Sequence, residues 1–516
     1  MNFIRGIIWS VITLNPIIWL SKTRRVMDLV NSWSIYEGSD NNNSKRFAVL
    51  VLPWLSTDVP WFSIVTGLFL ARRGNNVIFI LDDLPFGNKP VVFVFIIKCL
   101  RQVLKVISQK HTVISLSNYL TTDALSAEQS RYVYRLAQFN AVWALKGEMS
   151  SKGRQHYIEL ILKQLSTSYR AIRSLIESKV FDVIFIPGGV YGSSGIWKEC
   201  ALTAGIRVAS FDSGGYGTLM LTADGIASQL QDIPRAFAML KARPHFEQEK
   251  RIVFELAHAE MQRRRAGTDK FASQMISKTN QKLHINDAVL IALNSSWDSA
   301  ALGLHVVFED STQWIVETTR WLLDNTDAPV IIRQHPAERL QIARTSDDYH
   351  KLLTDNFGVT DRLHFIAADA PVNTYDLLNQ VSTVIVYTST IGVEAATFGK
   401  VVITPSTSYY SALGFVWNAD SKETYFRHIS NSVAQNYTVT PEMKDDAMCC
   451  YYLTQCCNWV FSPFNPEGYS DWSSYSLQEL YEHKSVQFMI RSIQDNIPIA
   501  LLNHITNTHN LETNHK

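Results

Sequence analysis

The chain has 516 residues, enough for two or three domains of ordinary size. With 46% hydrophobic and 11% aromatic residues it can build a sizeable core, which excludes a disordered chain even at 18% charged residues. A formal net charge of +1 excludes a global basic field able to hold a nucleic-acid backbone, so no nucleic-acid partner is expected.

The chain opens MNFIRGIIWSVITLNPIIWLSKTRR, an apolar stretch over residues 6–20 followed by a basic cluster. The stretch is shorter than the ~20 residues that span a bilayer, and no small-residue cleavage site follows it. Two readings stand. One is an interfacial anchor, with Trp9 and Trp19 at headgroup level and Lys22, Arg24 and Arg25 on anionic lipid. The other is a helix packed against the protein. Residues 37–46, EGSDNNNSKR, read as a linker.

FAVLVLPWL then reads as a strand, WFSIVTGLFLARRG as a helix stopped at Gly74, and NNVIFILDD as a second strand. Strand, helix and strand at this spacing predict a parallel sheet with buried strands. Residues 91–120 are very apolar and have no clear phase. Residues 126–180 read as helical. FDVIFIPGG is a buried strand stopped at Gly188 and Gly189, IWKECALTAG a helix, and IRVASFD another strand. Residues 231–283 read as charged helices connecting two halves.

The second half repeats the grammar. AVLIALN, APVIIRQHP, RLHFI, STVIVYTST and KVVITP read as strands alternating with helices over residues 287–405, a doubly wound domain. Residues 440–500 read as helical and aromatic-rich, with a polar tail beyond about 503. The expected divisions are a hydrophobic segment and linker (1–44), an N-terminal Rossmann-like domain with a helical insert (45–283), a C-terminal Rossmann-like domain (284–440), and C-terminal helices and tail (441–516).

Six cysteines are present. Cys99 and Cys200 stand alone, and Cys449, Cys450, Cys456 and Cys457 lie in CCYYLTQCC. Without C-x-x-C knuckles or interleaved histidines they read as small apolar helix residues in a reducing compartment, so no metal is expected.

In open α/β sheets, ligands bind at the carboxyl ends of the strands. After VIVY come Thr388, Ser389, Thr390 and Gly392, hydroxyls and a glycine that open a helix and suit phosphate; Glu394, one turn in, suits ribose hydroxyls. An ordinary capping box is the plain alternative. After VIIR comes His335, flanked by Arg333 and Arg339, where an imidazole can donate to phosphate. After LIAL come Asn294 and Ser295 in a polar loop. In the first half, Asp58 and Asp212 follow strands, where a carboxylate can act as a general base or simply cap a helix or turn. Gly188, Gly189, Gly214 and Gly215 let an acceptor or backbone approach closely on that side. IPGGVYGSSG lacks the dinucleotide fingerprint, and no H-E-x-x-H, G-x-S-x-G or Walker A sequence occurs.

Arg333-Gln334-His335-Pro336, Tyr387-Thr388-Ser389-Thr390-Ile391-Gly392-Val393-Glu394-Ala395, Gly399-Lys400-Val401-Val402 and the pair Tyr409-Tyr410 resemble the capsule polysaccharide biosynthesis glycosyltransferases, the group that includes Kdo transferases. The likeness covers residues 287–415, and NSSWDSAAL from Asn294 resembles the loop opening that family's C-terminal domain. The first half agrees in layout only.

The resemblance implies an α/β fold of two Rossmann-like doubly wound domains facing a cleft (GT-B type), here with a helical C-terminal extension. It implies a nucleotide sugar, often CMP-linked and acidic, held by the C-terminal domain, with His335, Ser389 and Thr390 on its phosphate and sugar. It also implies an N-domain carboxylate as base, Asp212 first and Asp58 second. Asp212 departs from the tighter family pattern because Gly214 lies one residue further on, and Arg333 stands where the family has a basic residue, with Gln334 interposed. The expected activity is a metal-independent, inverting sugar transfer to a growing surface polysaccharide or glycolipid, with no cofactor. The expected place is the cytoplasm, or the inner face of the cytoplasmic membrane. A teichoic-acid-type polyol-phosphate transferase and a degenerate transferase serving as an assembly scaffold are the alternatives.

Overall fold

The computed structural model describes residues 16–33, 44–54, 58–85, 90–149, 153–215, 217–268, 285 and 287–514. Its strands, in chain order, are β1 (Arg46–Val51), β2 (Asn76–Leu81), β3 (Thr112–Ser115), β4 (Val183–Pro187), β5 (Arg207–Gly215), β6 (Thr218–Thr222), β7 (Ala288–Ala292), β8 (Val330–Arg333), β9 (Leu363–Ile366), β10 (Val381–Val386), β11 (Val401–Thr404), β12 (Trp417–Asn418) and β13 (Trp459–Phe461). They form two sheets in two compact units. The first unit comprises Met1–Asn140, Gln155–Asp232 and Trp459–Leu502; the second comprises Ala141–Arg154, Ile233–Asn458 and Asn503–Lys516.

The first unit's sheet runs β13-β6-β5-β4-β1-β2-β3. From β3 to β5 its pairs are parallel, and β6 and β13 add antiparallel strands at one edge. The order reverses between β1 and β4, a topological switch point. The helix Val59–Arg72 that follows β1 has no polar face and is buried from Val59 to Leu70. Such an all-round apolar helix must be covered on its outer side as well. Part of the cover is the helix Pro16–Ser32, whose Trp19 packs on Trp61 at a ring-centroid distance of 5.5 Å, with Trp33 on Phe69 at 5.7 Å. One face of Pro16–Ser32, with Trp19, Val26 and Leu29, therefore packs against the first unit. Trp19 is buried and Lys22 pairs with Asp58, so neither is available to lipid. Trp9 lies outside the described residues. The apolar residues 91–120 become the helix Pro90–Ile107 and β3.

The second unit's sheet runs β12-β11-β10-β7-β8-β9 and is parallel throughout. Counted along the chain this is the doubly wound order 3-2-1-4-5-6, with its switch point between β7 and β10. Its strands are the continuous apolar runs expected of a parallel sheet covered on both faces. The core gathers Val289, Ile291, Trp314, Ile332, Ile385 and Tyr425.

The domain boundaries differ from those expected in three places. Residues 141–154 join the second unit because Asp347 accepts the N–H groups of Glu148 and Met149, both at 2.9 Å, while the Glu148 carboxylate accepts Ser311 N–H at 2.8 Å. The helices Ile233–Lys241 and Phe246–Arg265 join it through Lys241–Asp446 and Lys250–Asp445 ion pairs to the helix Pro441–Tyr451. The C-terminal region is not a separate extension either, since β13 pairs with β6 and residues 459–502 complete the first unit. The cysteines are unpaired, and all but the partly exposed Cys456 are buried. No helix among the described residues is long and apolar enough to cross a membrane.

Candidate functional site

In the second unit, β8, β7 and β10 are neighbours, so the three loops singled out in the sequence start side by side at one edge of the sheet. The switch point itself is bridged by Asn294. Its Nδ2 donates to Thr388 Oγ1 at 3.0 Å and its Oδ1 accepts Thr388 N–H at 3.1 Å, joining the ends of β7 and β10. Behind the Thr388 loop, Tyr410 Oη donates to the Ser389 carbonyl at 2.9 Å. A Cβ at residue 392 would lie 2.9 Å from both Tyr410 Oη and Val386 Cγ2, which explains the glycine there. The helix that follows, Ile391–Thr397, spans only two turns.

His335 is partly exposed at the end of the β8 loop. Its Nδ1 accepts Ala337 N–H at 3.3 Å, which places the ring proton on Nε2. Burial lowers its pKa; nearby Asp298 pushes the other way and Arg333 adds to the lowering. The imidazole is therefore a neutral hydrogen-bond donor near pH 7 rather than a cation. Gln334 anchors this loop by donating to Glu338 at 2.8 Å and accepting Ala368 N–H at 3.1 Å. Ser295 is turned to the Glu338 carboxyl, which burial pushes up to about 7 against the opposing hydrogen bonds from Gln334 and Ser295.

Two expected donor contacts point elsewhere. Arg333 is buried, and its guanidinium donates to the carbonyls of Ile366, Ala367 and Val372 after β9. Burial drives a guanidinium to find acceptors, and here the carbonyls supply them; the same burial lowers its pKa to about 10. Glu394 is also buried, 3.9 Å from the Arg264 guanidinium and accepting Tyr375 Oη at 3.3 Å. Burial raises its pKa to about 7, opposed by Arg264 and Tyr375. Its carboxyl faces the end of the helix Phe246–Arg265, so the structure gives it an internal partner where the sequence suggested ribose. The second unit thus brings together Asn294, Thr388, Ser389, Thr390, Gly392 and His335, and turns Arg333, Glu394 and Ser295 to internal work.

In the first unit, Asp58 ends the loop after β1 and pairs with Lys22; burial nonetheless raises its pKa more than Lys22 lowers it. Asp212 does not follow a strand. β5 continues through it to Gly215 and turns back as β6, so Asp212 sits opposite Met220 in a hairpin, its Oδ1 accepting Ser213 N–H at 2.8 Å. Gly214 and Gly215 belong to that hairpin, and a Cβ at Gly214 would meet Trp459 of β13. Gly188 and Gly189, both at positive φ, lie directly after β4 at the switch point. Sequence reasoning missed the buried Asp82, whose only signal is the acidic pair closing NNVIFILDD.

These features define an α/β protein of two Rossmann-like units, with polar loops gathered at the carboxyl edge of the second sheet. Residues 221–437, somewhat under half of the chain, match the family described as capsule polysaccharide biosynthesis protein. No curated protein matches the chain. Among solved structures it is similar to the β-Kdo 2,4-transferase KpsC of Thermosulfurimonas dismutans, at 13% identity over 58% of this chain and 87% of that one, with a TM-score of 0.34. The β-Kdo 2,7-transferase KpsC of the same organism matches at 14% identity over 69% and 95%, TM-score 0.34. A glycosyltransferase from Rickettsia africae matches at 9% identity over 89% and 100%, TM-score 0.28.

Proposed function

We propose that the chain is a glycosyltransferase that moves a sugar from a nucleotide-sugar donor, a CMP-linked acidic sugar among the candidates, to a growing surface polysaccharide or glycolipid. The observation that carries this reading is the Asn294–Thr388 bridge across the second unit's switch point, with Ser389, Thr390 and the His335 donor beside it. Ligands of doubly wound sheets sit at this place. The family match over the same residues supports the reading.

In the proposed reaction the acceptor hydroxyl oxygen attacks the anomeric carbon while the bond from that carbon to the nucleotide phosphate breaks on the opposite face. The leaving phosphate keeps the electron pair, and neutral His335 donates a hydrogen bond to it through Nε2. The hydroxyl proton passes to a carboxylate, for which the sequence offers Asp212 and Asp58. At the inner face of the cytoplasmic membrane, the exposed Ile17, Ile18 and Leu20 would meet lipid beside Arg24. Sedimentation with anionic vesicles tests that placement.

The deciding experiment is a thermal-shift screen with CMP, UDP, GDP and their sugars. A ligand at a hundredfold excess over Kd stabilises the fold by about 2.7 kcal/mol. His335→Ala should weaken the response. If no nucleotide shifts the melting temperature at millimolar concentration, the reading fails and the scaffold alternative takes its place.

A further inference from the structure

Three helices of the first unit run in the same direction. β1 pairs with β2 and β2 with β3, each in parallel, so the connecting helices Val59–Arg72 and Pro90–Ile107 both run back from the carboxyl edge of the sheet. The helix Pro16–Ser32 follows them, because its Trp19 packs on Trp61, early in Val59–Arg72, and the next aromatic, Trp33, packs on Phe69, late in it. Pro16–Ser32 also packs beside Pro90–Ile107, where the buried side chains of Thr23 and Cys99 are hydrogen-bonded. At a rise of about 1.5 Å per residue, Leu20 lies about 4.5 Å before that contact on one helix and Val94 about 7.5 Å before it on the other, so the two are nearly level.

Each of these two helices leaves a stripe uncovered, and both stripes change character at the same level. In Pro90–Ile107 the exposed positions include Val91, Val94, Lys98, Arg101 and Lys105, the spacing of one helical face. Val91 and Val94 are 61% and 65% exposed. In Pro16–Ser32, Ile17 and Leu20 are 79% and 50% exposed, and the exposed Arg24 follows one turn on. Residues 6–20, which run into this helix, carry no charge. The two helices hold six basic residues against one acidic residue, the exposed Asp28. Lys22 pairs with Asp58, Arg101 pairs with Asp83, and Arg25 donates to the Ser473 carbonyl. Arg24, Lys98 and Lys105 are exposed beside them.

Protein-binding patches gather aromatic residues and keep charge away from their centre. Here the exposed apolar side chains are aliphatic, and basic residues stand one turn, about 5.4 Å, behind them. That layering matches a bilayer surface, where apolar side chains enter the headgroup–acyl boundary by about 5–10 Å and basic ones meet anionic phosphates. We propose that the starts of the helices Pro16–Ser32 and Pro90–Ile107 form one docking surface for an anionic lipid bilayer, with Ile17, Leu20, Val91 and Val94 in the acyl boundary and Arg24 and Lys98 on lipid phosphates. Both helices start at the carboxyl edge of the first sheet, so that edge is held toward the membrane. This surface rests on the membrane placement given with the transferase reading, to which it adds a second helix and a direction of approach.

The test sediments the full chain with vesicles of phosphatidylcholine alone and of phosphatidylcholine mixed with phosphatidylglycerol, at low and high salt. The wild type should bind the mixed vesicles at least about tenfold more tightly, and salt should weaken that binding. Val94→Glu should weaken it at least about tenfold, and so should Lys98→Glu. Both positions are exposed, so neither variant should change the circular dichroism spectrum or the thermal shift given by nucleotide. Equal binding to the two kinds of vesicle, or variants that bind as the wild type does, would overturn the surface while leaving the donor reading standing. A wild type that is dimeric in solution and becomes monomeric on Val94→Glu would also overturn it, because the face would then belong to a second copy. Variants that lose vesicle binding, in a protein that no nucleotide stabilises, would uphold the surface and overturn the transferase reading.

Discussion

Glu394 gives a sharp test of how the second unit is held together. Its carboxyl is buried, 3.9 Å from the Arg264 guanidinium, and burial lifts its pKa from 4.5 to about 7. Between those values the folded protein holds a proton that the unfolded chain has released, so unfolding stability falls as pH rises. At about 1.36 kcal/mol per unit, the full penalty is about 3 kcal/mol by pH 8 and about 1 kcal/mol at pH 5. Glu394→Gln removes the titration while keeping the shape and an acceptor for Tyr375, and Arg264 retains Glu260 at 3.5 Å. The variant should therefore match the wild type to within about 1 kcal/mol at pH 5 and exceed it by about 2–3 kcal/mol at pH 8. Urea unfolding followed by circular dichroism at both values reads the difference. If Glu394→Gln is the less stable protein at pH 8, the Arg264–Glu394 attraction outweighs burial and the reasoning is wrong.

Three other outcomes are expected from the geometry. Asn294→Ala removes both bonds across the β7–β10 junction and leaves Thr388 N–H without its acceptor, which should cost about 1–3 kcal/mol and weaken nucleotide binding about tenfold; calorimetry showing wild-type affinity would contradict this. Trp19→Ala should destabilise the first unit by about 3–5 kcal/mol, because a buried indole on Trp61 is lost. A loss under about 1 kcal/mol in urea would mean the helix Pro16–Ser32 is dispensable. If the proposed transfer needs no metal ion, as the resemblance implies, EDTA-treated protein should keep its turnover; activity abolished by EDTA and restored by Mg²⁺ would refute that.

The second sheet is readable in the sequence because buried parallel strands are uninterrupted apolar runs, and the polar residues after each run then form a strand-end loop. Asn294, His335 and Thr388 can be placed on one edge by that rule alone. Side-chain direction is not carried by such patterns. Nothing in VIIR distinguishes an arginine aimed at a ligand from one turned to the Ile366 and Val372 carbonyls. Asp212 is misplaced by the sequence because the strand IRVASFD reads as ending there, whereas β5 runs on to Gly215 and turns into β6. The long-range assignment of residues 141–154 to the second unit is invisible for a similar reason. Glu148 and Met149 are captured by Asp347, 199 and 198 positions away, and Glu148 by Ser311, 163 positions away, and no local periodicity encodes that.

The edge contributed by β13 has a consequence for how the polypeptide is made. β6 pairs with a strand more than two hundred residues later, so the amino-terminal half emerges from the ribosome with an open hydrogen-bonding rim. Until residues 459–502 arrive, that rim can recruit a neighbouring chain as readily as its own. A fragment ending at residue 440 would keep the opening permanently, and fragments of this protein should be designed around the return of the carboxyl-terminal segment.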